Sequence, residues 1–308
     1  MPGRSVRRTG LRRPLPEDGA ARAKAGASQA GKVIVSVAAN LALSSALLYF
    51  FGLVYTQKFF GYFRVHYTVL DQSSDEILAR GAFGLHLPIG AAAGIGLGSF
   101  AVVRLARFLL PDRIRAGLAR FGPPFATIAG LALVGVTVPE VLGVDPFGFH
   151  AGLPGLAFAA GVVLAVVGSR RLAPGEHAPA FLVAEWTTTY LLVAFGLFWA
   201  VSDYSAQVGI REAYATAARI SAMPAVTVYS ERGLSLEADG VRQVVCAQPE
   251  AAYRYRYTGL KLLLQSGGQY VFVTARWRTS DGVSFVVPRS AALRLEFAPP
   301  GTRPSGTC

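Results

Sequence analysis

Charge is scarce in this sequence, and what there is lies unevenly. Only 16% of the 308 residues are Asp, Glu, Lys or Arg, against roughly a quarter in an ordinary soluble domain. Lysine is rarer still, at Lys24, Lys32, Lys58 and Lys261 alone. Cysteine occurs at Cys246 and Cys308 only, and the four histidines (His66, His86, His150, His177) are dispersed, which argues against a four-ligand zinc site. There is no Walker loop, HExxH, GxSxG or CxxC, so the common phosphate-binding, metalloprotease, hydrolase and redox signatures are missing. GIGLGSF (94–100) begins like a dinucleotide-binding turn but sits inside an apolar stretch with no strand before it. These absences disfavour an enzyme and leave catalytic, cofactor-binding and metal residues unassigned, with no cofactor expected.

What is abundant is apolar length. Hydrophobic residues make up 52% of the chain and the mean hydropathy is +0.41. They gather into blocks long enough to cross a bilayer, for which about 20 residues suffice at about 1.5 Å each. The blocks predict five transmembrane helices at about 33–53, 82–103, 123–142, 153–168 and 180–201. The third opens on Pro123-Pro124, where a first helical turn tolerates the missing N–H. Residues 1–32 read as a basic, disordered cytoplasmic arm. Its Arg7-Arg8 pair resembles a twin-arginine export signal, but the apolar block that follows is too long for a signal-peptide core and is expected to stay as an anchor.

The net charge of +12 invites a nucleic-acid reading, yet its placement fits a membrane. Eight basic residues precede the first block (Arg4, Arg7, Arg8, Arg12, Arg13, Arg22, Lys24, Lys32), five separate the second from the third (Arg104, Arg107, Arg113, Arg115, Arg120), and Arg170 and Arg171 follow the fourth. The opposite loops hold only Lys58, Arg64 and Arg80. The positive-inside rule then places the N-terminus in the cytoplasm and, after five spans, the C-terminus outside. A re-entrant hairpin of spans three and four would leave that outcome unchanged. The bilayer and its anionic head groups are the expected partners, and nucleic acid is not.

From about Ala225 the pattern changes to a period of two. Candidate strands are 225–230, 255–265, 270–277, 283–288 and 292–297, with Ser266-Gly267-Gly268 and Asp281-Gly282 as turn signals. Residues 202–222 form a helical connector, with Ile210, Ala213, Ala217 and Ile220 at helical spacing. The expected fold class is a membrane α-helical multi-span bundle followed by a small β-rich domain, 202–308 with its connector. Extracytoplasmic exposure would permit a Cys246–Cys308 disulfide; the other reading is a small buried Cys246 and a loose tail.

Several stretches, YTQKFFGYFRVHYTVL (55–70) with DEILARG (75–81), PAVTVYSE (224–231), AYRYRYTGLKLLL (252–264), YVFV (270–273) and ALRLEF (292–297), together resemble a pattern in uncharacterised multi-pass membrane proteins of high-GC Gram-positive bacteria. The resemblance implies the architecture of spans plus a small β-rich domain. It implies no activity.

Two sets of residues are candidates for function. Ionisable groups at membrane depth are costly and frequently functional; His86, Glu140 and Glu185 qualify, and His86 and Glu140 fall toward the same face, where they could pair. Both could equally reach water at the interface. The loop 55–80 is crowded with aromatics, which reads either as an interfacial belt or as an interaction surface made by Phe59, Phe60, Tyr62 and Phe63 with Tyr255, Tyr257, Trp277, Arg254 and Arg256 of the strands. In the second reading residues 203–308 dock on the loop through stacked aromatics, with Arg254, Arg256, Arg276 and Arg278 facing Asp71, Asp75 and Glu76; a separate protein partner or head groups compete for the same stripe. Glycines at 90, 94 and 98 have a G-x-x-x-G spacing, suited to close packing within the chain or to a homo-oligomer. The leading function is a membrane-anchored interaction or sensing protein; the alternatives are an oligomeric channel or transporter component, and a membrane enzyme.

Overall fold

The computed structural model describes residues 17–109, 111–141, 152–172, 179–248 and 251–302, with the backbone alone at 17–33, 86–89 and a few other helical positions. Five long helices come first: α1 (Glu17–Tyr62), α2 (Ser74–Leu109), α3 (Asp112–Val141), α4 (Leu153–Leu172) and α5 (Pro179–Arg219). Six strands follow: β1 (Ala225–Ser230), β2 (Arg242–Val245), β3 (Tyr255–Ser266), β4 (Gln269–Thr274), β5 (Ser284–Pro288) and β6 (Leu293–Ala298). Among the described residues four helical stretches are long and apolar enough to cross a membrane: Ile34–Tyr62, Ala119–Glu140, Leu153–Leu172 and Ala180–Ala222. The second expected span falls in α2, whose described apolar stretch is the shorter Gly96–Ala106.

Two helices, α1 and α3, start well before the positions expected for them, and α1 and α5 run on past the expected span ends to Tyr62 and Arg219. Helix α1 starts at Glu17, inside the stretch read as a disordered arm, because 17–32 is rich in alanine, the strongest helix former, and opens on Glu17-Asp18 at the positive end of the helix dipole. Helix α3 starts at Asp112, so Pro123 and Pro124 lie in its interior; they deprive the Ala119 and Arg120 carbonyls of their i+4 donors. Helix α2 begins as expected, with the Ser73 hydroxyl accepting the Glu76 N–H at 3.4 Å and Asp75 and Glu76 in its first turn.

Contacts fix the directions of the helices. Gly81 lies on the Leu48 carbonyl and Gly52 on that of Ile77, so α2 runs antiparallel to α1. Phe50 meets Phe198 at 5.5 Å and Tyr62 meets Tyr214 at 4.7 Å between ring centroids, so α5 runs parallel to α1; the buried Ser205 hydroxyl donates to the Phe51 carbonyl at 2.6 Å between them. Helix α4 is antiparallel to both its neighbours, with Gly161 and Gly168 on Gly130 and Thr127 of α3 and Gly155 on Gly196 and Ala200 of α5. A Cβ at Gly155 would come within 2.2 Å of the Ala200 nitrogen, so only glycine permits this α4–α5 approach. Each helix therefore runs opposite to the one before it. At the mouth of this pair the Asp203 carboxylate accepts the Gly152 N–H at 2.6 Å, capping α4 from α5. The glycines expected to pack, Gly90, Gly94 and Gly98, face open space: an added Cβ there meets nothing within 4 Å. Helix α2 makes its close approach to α1 through Gly81 and Gly84 instead.

The sheet is antiparallel in the order β5-β4-β3-β1-β6, with β2 pairing the first half of β3. Strand β2 is an addition to the expected set; its four residues RQVV are all exposed, so it lacks the in–out alternation that marks a strand. The β3–β4 hairpin turns through Gly267 and Gly268, at φ 54° and 75°, as a two-residue turn of the primed type requires. Period two divides the side chains between two cores. Val226, Val228, Tyr257, Leu260, Phe272 and Val287 form one with Leu236, while Val271 and Val273 turn the other way, toward the helices, where Trp277 from just past β4 joins them.

Candidate functional site at the helix–sheet junction

The second core joins three separate stretches of chain. Phe59, Phe60 and Phe63 from the end of α1, Val65 and Leu70 from the following loop, and Ala213 and Ile220 from α5 and the turn after it meet Val271, Val273 and Trp277 of the sheet. Trp277 packs on Phe63 at 4.9 Å and on Tyr62 at 5.4 Å, with the rings tilted by 55° and 41°, and aromatic pairs add about 0.5–1.5 kcal/mol each beyond the area buried. Polar contacts edge this core. The Arg64 guanidinium donates to the Thr279 and Ser280 carbonyls at 2.7 and 3.1 Å, and the Ser284 hydroxyl donates to the Phe63 carbonyl at 2.6 Å. At the hairpin, Ser266 accepts from the Gln72 amide at 3.1 Å and donates to the Glu76 carboxylate. The turn itself sits on the loop: a Cβ on Gly267 would lie 1.8 Å from the Leu70 carbonyl oxygen.

This geometry redistributes the expected interaction surface. Phe59, Phe60, Phe63 and Trp277 are buried inside the chain and are not an exposed surface for a partner. Tyr257 is fully buried in the other core, where its hydroxyl accepts the Leu234 N–H at 2.7 Å; Trp277, just past the end of β4, packs on the loop side instead. Arg256 lies on the first half of β3 beside β2 and Arg254 just before that strand, at the end remote from the hairpin that meets the loop. Arg64 and Glu76 make the charged ties instead. Arg254 stays exposed, and Tyr62, Tyr255 and Arg256 are half-buried.

A groove of about 480 Å³ opens beside Tyr62, lined by Gln57, Lys58, Tyr62, His66, Tyr67 and Tyr214. His66 stacks on Tyr67 at 5.1 Å and its Nδ1 is 2.7 Å from the Thr68 hydroxyl. Gly61, on the groove wall, faces open space: a Cβ added there would meet nothing within 4 Å.

Of the three ionisable residues expected at membrane depth, Glu185 is engaged by Arg170 through two contacts of 2.9 and 2.8 Å, and the same guanidinium lies 4.4 Å above the Trp186 ring. This bidentate clamp ties α4 to α5. Glu140 borders a separate cavity of about 550 Å³ with Phe50, Phe195, Phe198, Trp199 and Ser202. The His86 side chain lies outside the described residues, as does Cys308. Cys246 is disulfide-bonded. Lys261 is a functional candidate that patterning alone did not single out; it is 4% exposed and donates to the Met223 carbonyl.

Comparison with known proteins yields no match: no family model fits the chain, and no curated protein or solved structure is similar to it.

Proposed function

We propose that the chain is a membrane-anchored recognition protein, held by five crossing helices, with its N-terminus in the cytoplasm and its sheet on the outer face. The observation that carries this reading is the aromatic core shared by α1, α5 and the sheet. Such a core holds the sheet as a rigid platform at the end of two crossing helices, instead of on a tether. The alternation of helix directions supports five crossings, α2 included, and the clustering of Arg and Lys supports a cytoplasmic N-terminus. The disulfide at Cys246 supports an oxidising compartment for the sheet. The Tyr62 groove lies four to nine residues beyond the expected end of the first span, roughly 6–14 Å along the helix. That is the depth of head groups and the water just outside them, where a surface ligand or partner would be met.

Two measurements test this. Reporter fusions at residue 30 and after residue 308 should report from opposite sides, and the same side for both would break the five-span arrangement. A photo-crosslinking residue at Tyr214, which edges the groove, should form a discrete adduct in intact cells that Gly61→Trp abolishes. Solute or ion flux through reconstituted proteoliposomes, with no adduct, would instead favour the channel.

A further inference from the structure

A cavity of about 580 Å³ lies where the start of β1, a bulge in β3 and the turn before β2 come together, lined by Asp239, Arg242, Lys261 and Arg276 among others. The bulge is the register shift of β3 opposite Val226 and Val228. It is made by Gly259 at φ +88°, whose absent Cβ would fall 2.0 Å from the Gly240 carbonyl. With Gly240 at φ +82° and Gly301 at φ +80°, much of the wall is bare backbone, which lets a ligand approach closely.

The charges around this cavity are out of balance. Lys261, Arg242 and Arg276 line the cavity together with a single carboxylate residue, Asp239, and among the described residues none of Arg242, Arg276 and Asp239 enters a salt bridge. Lys261 is 4% exposed. Its ammonium carries three donors, and the Met223 carbonyl takes one of them. A buried ammonium with one neutral acceptor is costly unless an anion completes its shell. Burial also pushes the Lys261 ammonium below the usual lysine range, the direction an adjacent anion reverses.

We propose that this cavity binds an anionic oxygen group, phosphate or carboxylate, with Lys261 as the buried anchor and Arg242 and Arg276 as the outer pair. Thr227, Thr258 and Thr302, also in the lining, supply neutral hydrogen-bonding groups at the same site. The group can belong to a small soluble molecule or to a lipid head group. The site goes beyond the recognition groove at Tyr62 and shares no lining residue with it.

The test uses the full-length protein in nanodiscs, so that its outcome does not depend on which side of the cell the sheet faces. Inorganic phosphate and succinate are titrated by calorimetry in discs of neutral lipid, and phosphate is titrated again in discs containing phosphatidylglycerol. Saturable binding of either probe in neutral discs is expected, weakened about tenfold or more by Lys261→Met. The exposed double variant Arg242→Gln/Arg276→Gln should weaken it several-fold and keeps the test valid should Lys261→Met not fold. Phosphate affinity that drops in phosphatidylglycerol discs identifies a lipid head group as the occupant; affinity that does not change identifies a soluble one. Absence of saturable binding by the wild type in neutral discs overturns the proposal. So does wild-type affinity in the double variant, which would reduce Lys261 to a tie between the sheet and the end of α5.

Discussion

Truncating Trp277 is the sharpest test of the junction between sheet and helices. The side chain is 7% exposed and touches Tyr62 and Phe63, so Trp277→Ala removes the whole indole ring from a packed core. Burial of roughly 150–250 Å² per aromatic at about 25 cal/mol per Å² amounts to about 4–6 kcal/mol; measured truncations of this kind cost about 3–5 kcal/mol. Trp277 also buries its Nε1–H with no acceptor. Trp277→Phe therefore keeps most of the ring contact and relieves an orphan donor worth about 1–3 kcal/mol, leaving a net cost of at most about 1–2 kcal/mol. The other core, with Tyr257 and Phe272, contains none of these contacts. The sheet should accordingly stay folded in Trp277→Ala while it separates from the helices. Limited proteolysis of the detergent-solubilised chain should then cut near Met223-Pro224, with thermal unfolding splitting into two steps. Equal behaviour of Trp277→Ala and Trp277→Phe, or an unchanged proteolysis pattern in Trp277→Ala, would refute the argument that aromatic packing mounts the sheet.

Four further outcomes follow from the same geometry. Gly267→Val should detach the hairpin from the loop, because its side chain would overlap the Leu70 carbonyl; the expected loss is several kcal/mol, read as a lower unfolding temperature. Gly61→Trp, at a wall with open space, should leave the unfolding temperature within a degree or two of wild type. Glu185→Ala should strand the Arg170 guanidinium and cost about 1–3 kcal/mol of bundle stability, whereas Glu185→Gln, keeping one acceptor, should cost less in the same denaturation assay. The last concerns pH. The folded Lys261 ammonium titrates below its unfolded value of 10.5, so below the folded value both states are protonated and the burial cost is fully present. As pH rises through the folded value toward 10.5 the folded state sheds the proton first, and the wild type should gain stability relative to Lys261→Met. Tyr229, raised by burial and its bond to Glu296, acts in the opposite sense but equally in both proteins, so the difference between their unfolding curves isolates the lysine.

The sequence by itself determined the features that depend on neighbours along the chain. Apolar blocks of spanning length, the strand period after Ala225, the Ser73 cap and the Gly267-Gly268 turn are all local, because helix and strand periodicity and backbone φ are properties of short segments. Strand β2 escaped because four exposed residues carry no alternation. Pro123-Pro124 misplaced the start of α3, since a proline that can open a helix can also be tolerated inside one. Tertiary structure alone decided which aromatics are surface and which are core. Trp277 and Tyr257 are both aromatics of the β-rich part, but Tyr257 lies within β3 and fills the sheet's own core, while Trp277, just past the end of β4, packs on the helices. It also decided that Asp203 caps α4, that Arg170 clamps Glu185 and that Lys261 is buried, since each depends on partners distant in sequence. A charged side chain reads as exposed until the fold brings a carbonyl and a cavity to it. The fate of such a group is set by solvent exclusion, a property of the assembled chain and not of any segment.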